Sequence, residues 1–152
     1  MVKIDGISLI EHQLNAYLNA GFEESSIYVV VGYKSSIITE FLAERYSAVN
    51  IVENKDYLNT NNMYSLYLAL NKLKMNNSES LFINNGDCVY DPDIIFNMVN
   101  DKQSNLIASD KDSFIQESMK IKLDGKNIVD LSKEIPEDLA FGVSIDLYKM
   151  SS

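Results

Sequence analysis

Basic residues are scarce in this chain. Lys and Arg number 13 against 22 Asp and Glu, a formal net charge of −9, and Arg45 is the only arginine. Phosphate backbones of nucleic acids are held by clustered Lys and Arg, so no nucleic-acid partner is expected. Cysteine is almost missing. Cys88 stands alone, which excludes an intramolecular disulfide framework and a cysteine-rich zinc site and makes a reducing cytoplasm the default location. No apolar run approaches the roughly 18 residues of a membrane span. Met1–Asp5 carries one lysine with no extended apolar region behind it, so no signal peptide is expected. The single histidine, His12, has no acids or cysteines at ligand spacing and reads as a packing or surface residue. Repeats, low-complexity tracts and linkers are lacking as well.

What is present suits one soluble globular domain over residues 1–152, with 46% hydrophobic and 23% charged residues. Ser8-x-x-Glu11 reads as a capping box ahead of Leu9, Ile10, Leu14, Tyr17 and Leu18 at helical spacing, and Gly21 sits where a helix stop is expected. Ile27–Val31, closed by Gly32, suits a strand buried on both faces. Ser35 or Ser36 can cap a second helix with Ile37, Ile38, Phe41 and Leu42 inward. Val49–Val52 is a short strand. Thr60 or Asn61 can cap a third helix that carries Met63, Leu66, Tyr67, Leu70 and Leu73 on one stripe.

Residues 1–103 thus alternate strand and helix, which implies right-handed crossovers and a mostly parallel sheet. Residues 104–152 are β-rich. Leu106–Ala108 is a strand, Asp124-Gly125 is a hairpin signal between two runs, and Phe141–Tyr148 is a final strand. Both ends read as cut: no Gly-rich phosphate loop precedes the first helix, and the chain stops directly after a strand.

The most informative stretch is Leu81–Pro92. Leu81-Phe82-Ile83 stops in Asn84-Asn85-Gly86-Asp87, so a strand end delivers a carboxylate to the rim of a sheet, where open α/β folds bind ligands. Asp87 beside Gly86 is a candidate ligand for a magnesium ion carried by phosphates. Asp91 stands before Pro92, the arrangement of a helix N-cap and first helical residue. Cys88 lacks a neighbouring base and reads as a small buried residue.

Several segments together resemble the nucleotidyltransferases that activate phosphocholine, phosphoethanolamine or sugar phosphates, and phosphocholine cytidylyltransferase-like proteins most of all. They are Val2–Gly6 with Ser8–Leu14, Ile27–Lys34, Asn54 and Tyr57 with Thr60–Ala69, and Gly86-Asp87 with Asp91-Pro92. A weaker match runs from Met119 to Gly125 and over Ser132–Pro136. Asn61-Asn62-Met63-Tyr64-Ser65-Leu66 is the most specific segment. The resemblance lacks the family's N-terminal Gly-rich loop and the C-terminal part that supplies a second acidic metal ligand.

The resemblance implies a three-layer α/β, Rossmann-like, GT-A-like domain with a mixed, mostly parallel sheet, truncated at both ends. Nucleotide binding would fall to residues 1–103 and the acceptor side to 104–152. It implies transfer of a nucleoside monophosphate, CMP from CTP, to a small phosphorylated alcohol with release of pyrophosphate. Asp87 would bind Mg2+. Asn61, Asn62, Ser65 and Gly86 would meet the nucleotide, and Lys120 and Lys133 would act on phosphate as point charges. The alternatives are a cap-only role for Thr60 and Asn61 and plain surface positions for the lysines. At the level of function they are a non-catalytic binding or assembly module, and a glycosyltransferase using a nucleotide-sugar. An exposed sheet edge gives a route to homo-oligomers.

Overall fold

The structure is a computed structural model that describes residues 1–73, 80–111 and 117–151. The chain divides into two compact units, Met1–Asn76 with Val89–Val99, and Asn77–Cys88 with Asn100–Ser152. No helix among the described residues is long and apolar enough to cross a membrane.

The first unit opens with a hairpin, β1 (Lys3–Ile4) and β2 (Ile7–Ser8). Asp5 and Gly6 both have positive φ, +50° and +82°, the requirement of a two-residue type I′ turn. Helix α1 (Leu9–Asn19) follows, burying Leu14, Ala16 and Tyr17, and Gly21 at φ +98° ends its run as expected. The capping box does not form. Ser8 is the N-cap by position, yet its side chain makes no capping bond, and its buried Oγ has no partner among the described residues. Glu11 is drawn instead to the chain's only guanidinium, Arg45, at 2.6 Å.

Strand β3 (Tyr28–Val31) pairs in parallel with β4 (Asn50–Glu53), Tyr28 opposite Asn50 and Val31 opposite Glu53. Between them runs α2 (Ser35–Arg45), which buries Leu42 completely. Leu14, Leu42, Tyr46 and Val49 form a core onto which Ile10, Leu18, Ile27, Val29, Ile38, Phe41 and Ile51 pack. Three sequence expectations change here. Ser35 is the first helical residue and Lys34, left-handed at φ +51°, is the N-cap without a side-chain bond. Ile37 is exposed. Only Val31 of β3 is fully buried, because among the described residues β3 has β4 as its one strand partner.

Helix α3 (Asn62–Leu70) lies against β3 and begins at Asn61, whose Oδ1 accepts from the Tyr64 amide at 3.2 Å. The expected apolar stripe is not a core face. No residue of α3 is buried, and Met63 and Tyr67 are 69% and 58% exposed. Helix α4 (Pro92–Asn100) buries Ile95 and Met98. Asp91 caps it as expected, accepting from the Asp93 amide at 3.0 Å.

The second unit is a five-stranded antiparallel sheet: β5 (Ser80–Asn84), β6 (Leu106–Asp110), β7 (Lys120–Asp124), β8 (Asn127–Ser132) and β9 (Gly142–Ser151). β9 is its spine. β6 lies along one edge of β9, while β5 and β7 share the other edge at opposite ends. β7 and β8 form the expected hairpin, with the turn one residue on from the cue. Asp124 pairs with Asn127, and Gly125 at φ +60° takes the first turn position. The fold class is mixed α/β, with parallel and antiparallel strand pairs in separate sheets among the described residues. Among the described residues β3–β4 is the parallel pair and the others are antiparallel, so parallel pairing does not predominate. The alternation that suggested it hides that β5 pairs with β9, a partner from the far end of the chain.

Gly142 has a packing reason to be glycine. A Cβ there would stand 2.6 Å from the Asp110 carbonyl oxygen on the neighbouring strand. Backbone cannot yield as a side-chain tip can, so Gly142→Ala is expected to destabilise the chain by about 1–3 kcal/mol. Urea melts of the two proteins check this, and an unchanged midpoint would contradict the contact.

Candidate functional site

At the carboxyl end of β5 the chain turns through Gly86 and Asp87, both exposed. Asp87 stands on this turn as the sequence suggests, and the half-buried Cys88 donates its thiol to Asp87 Oδ1 at 3.7 Å. In the same sheet the spine strand is interrupted. Ile107 pairs with Tyr148 but Ser109 pairs with Ser144, so the register shifts between them. The bulge holds Asp146 at φ +61°. The Asp146 amide donates to Ser144 Oγ (3.1 Å), Ser144 Oγ donates to the Tyr148 hydroxyl (2.9 Å), and that hydroxyl donates to Asp146 Oδ1 (3.2 Å). Burial pushes the Tyr148 phenol up; the Ser144 hydrogen bond works against this and the nearby Asp146 charge adds to it. An aspartate in a strand looks like any outward polar residue, so no sequence signal marks this bulge.

Lys120 and Lys133 come together. They line one groove of about 430 Å³ with Glu117, Glu134, Ile135, Pro136 and Glu137. Lys120, the first residue of β7, is only 6% exposed. Its Nζ donates to the Lys133 carbonyl at 2.6 Å. Among the described residues no carboxylate lies within ion-pair distance of it. An ammonium group has three donors, and a buried charge without a counter-charge is costly. The groove therefore contains a cation with donor capacity in excess of its partners.

Lys133 differs. It is half-exposed and pairs with Glu117 at 2.9 Å. That hydrogen bond and charge hold the Glu117 carboxyl below the usual carboxylate range and raise Lys133 above the usual lysine value. The pair is intact between those two limits. It is lost as pH falls through the lowered Glu117 value or rises through the raised Lys133 value. Sequence reasoning misses Glu117, because nothing in the spacing of residues 117 and 133 marks them as neighbours.

The first unit has its own rim, at the carboxyl ends of the parallel strands β3 and β4. Asn61 caps α3, Asn62 is its first residue and Ser65 lies in its first turn. Asn54, just past β4 and 3% exposed, donates to Thr60 Oγ1 at 3.0 Å and to Ser65 Oγ at 3.1 Å, and its Oδ1 accepts from the Asp56 amide at 3.1 Å. Gly32 permits the close approach of Tyr57, since a Cβ on it would lie 2.8 Å from Tyr57 Cβ. Tyr57 also faces the exposed Tyr33, ring centroids 6.1 Å apart. In sequence Asn54 is visible only as part of a motif; its role follows from burial.

The donor set is compatible with magnesium. Among the described residues no group of three or more His, Cys, Asp and Glu could hold a metal ion by itself. Mg2+ commonly keeps waters and takes one or two carboxylates together with phosphates of a ligand, a mode in which a single exposed carboxylate such as Asp87 could serve.

Comparison with known proteins gives two findings. Residues 7–129 match the model of a family described as a domain of unknown function, DUF6564. The 2-aminoethylphosphonate cytidylyltransferase of Lancefieldella rimae is 38% identical over 96 residues. Those residues are 63% of this chain and 37% of that relative's length. The similarity supports a nucleotidyltransferase-like relationship.

Proposed function

This chain belongs to the DUF6564 family, and from that premise we propose that it takes part in cytidylyl transfer to a compact phosphate or phosphonate that also carries a positive charge. The observation that carries the reading is the buried Lys120 ammonium in a groove with spare hydrogen-bond donors. A phosphate or phosphonate oxygen supplies the acceptors and the counter-charge that this cation lacks. The cytidylyltransferase relative adds the chemistry.

In the proposed reaction an oxygen of the acceptor attacks the α-phosphorus of CTP. A new phosphorus–oxygen bond forms, the bond to the bridging oxygen of the β-phosphate breaks, and pyrophosphate leaves. Alignment and charge neutralisation suffice; no covalent protein intermediate is needed. Lys120 binds the acceptor's anionic end, and Lys133 joins it once Glu117 is displaced. Asp87 would hold Mg2+, whose chemistry is to neutralise phosphate charge. Asn61, Asn62 and Ser65, all in the first unit, are the proposed nucleotide contacts.

The groove also selects among acceptors. Its two lysines stand with three glutamates, Glu117, Glu134 and Glu137. A purely anionic sugar phosphate meets like charge there, whereas the ammonium end of a zwitterion is matched. We expect kcat/KM for 2-aminoethylphosphonate, phosphoethanolamine or phosphocholine to exceed that for glucose 1-phosphate by at least about tenfold, a difference of about 1.4 kcal/mol. A pyrophosphate-release assay across these acceptors checks it. Equal rates would remove the zwitterion from the proposal, and release of a nucleoside diphosphate from a nucleotide-sugar would replace the reaction with glycosyl transfer.

A further inference from the structure

We infer that Asn54 is a positioning residue that fixes the hydroxyl of Ser65 as a hydrogen-bond donor toward an oxygen of the bound nucleotide. The inference rests on the nucleotidyl-transfer reading and deepens it.

The polarity of the network can be assigned from its one unambiguous donor. The Asp56 N–H can only donate, so the Asn54 atom that meets it at 3.1 Å is the carbonyl oxygen. The amide nitrogen must then face the two hydroxyls, Thr60 Oγ1 at 3.0 Å and Ser65 Oγ at 3.1 Å, and both hydroxyls accept. Thr60 passes its own hydrogen to the Asp56 carbonyl at 2.8 Å. Ser65 does not close the circuit. Its hydroxyl hydrogen meets no acceptor among the described residues, and the side chain is half-buried at the first turn of α3. The Asn61 carbonyl, the usual local acceptor for a helical serine, is taken by the Ser65 and Tyr64 amides.

Asn54 is itself anchored. It is 3% exposed, and its backbone amide donates to the Val31 carbonyl at 2.8 Å, tying the ends of β3 and β4 together. Asn54, held by the sheet, thus makes the Ser65 hydroxyl an acceptor toward residue 54 and leaves its hydrogen to be donated elsewhere. A donor held this way suits a nucleotide oxygen, from a base carbonyl, a ribose or a phosphate.

Asn54→Asp separates polarity from packing. Aspartate keeps the shape and still accepts from the Asp56 amide, but it turns the Ser65 hydroxyl into a donor toward residue 54. Calorimetric titration of the chain with CTP and magnesium is expected to show a loss of about tenfold in affinity. Ser65→Ala should lose the same, the double variant no more than either single one, and Ser65→Thr should bind as wild type. A wild-type affinity in Ser65→Ala, or in a folded Asn54→Asp, overturns the inference while leaving the transfer reading in place. If Asn54→Asp does not fold, wild-type affinity in Ser65→Ala or a tenfold loss in Ser65→Thr overturns it. Absence of CTP binding by the wild-type chain overturns both.

Discussion

Lys120→Met is expected to cut cytidylyl transfer by at least about 100-fold without destabilising the fold. The two halves of this result have separate causes. In the reaction the buried ammonium meets charge, and removal of a single preorganised donor costs on the order of 10²–10³ in rate. In the unliganded fold the same ammonium is a burden. Burial costs several kcal/mol per ion, and the single hydrogen bond to the Lys133 carbonyl at 2.6 Å returns about 1.5–3 kcal/mol. Methionine has similar length and fills the space. It leaves the Lys133 carbonyl without this donor, at about 1–3 kcal/mol, so the changes nearly cancel. A stability change within about 1 kcal/mol of zero is expected in denaturant melts. If Lys120 served only to hold the Lys133 carbonyl, the variant would lose stability and keep its rate.

Asp87→Asn is the second large effect. Asp87 is exposed on the turn after β5, where its carboxylate accepts the long 3.7 Å approach of the Cys88 thiol. Substitution there should change stability by no more than about 0.5 kcal/mol. Turnover should nevertheless fall by about 100-fold or more, with loss of its response to magnesium, because a neutral amide is a poor ligand for a hard cation. Turnover and magnesium titration of both proteins check this. A variant that keeps its rate would leave the carboxylate as no more than a strand terminator.

Much of this is legible in sequence for a simple reason: local chemistry sets local structure. Asn61 as a helix cap, Asp91-Pro92 as a helix start, Gly21 as a stop and the Gly125 hairpin each depend on neighbours a few residues away. So does the placement of Asp87 at a strand end. What stays hidden depends on distant partners. Glu11 leaves its capping box because Arg45 arrives from another helix. The antiparallel pairing of β5 follows from β9, at the far end of the chain. Asp146 stands in a bulge visible only when β6 and β9 are paired.

The site divides along the same line. Lys120 stands out in sequence for its alternating neighbours Met119 and Ile121, which place it on one face of a strand. Its deep burial, and the arrival of Lys133 in the same groove, require the β7–β8 hairpin to form. The apolar residues of α3 show the opposite error. Their spacing is that of a core stripe, but burial is decided by what packs on the helix. Here contact with β3 leaves no residue of α3 buried among the described residues.

The most direct measurement is 31P NMR of the wild-type chain mixed with CTP, magnesium and 2-aminoethylphosphonate. The account predicts that CTP resonances decline while pyrophosphate appears together with a coupled pair of signals from a new phosphonate–phosphate linkage, and that neither forms without magnesium. CTP left intact with each of the zwitterionic acceptors would contradict it.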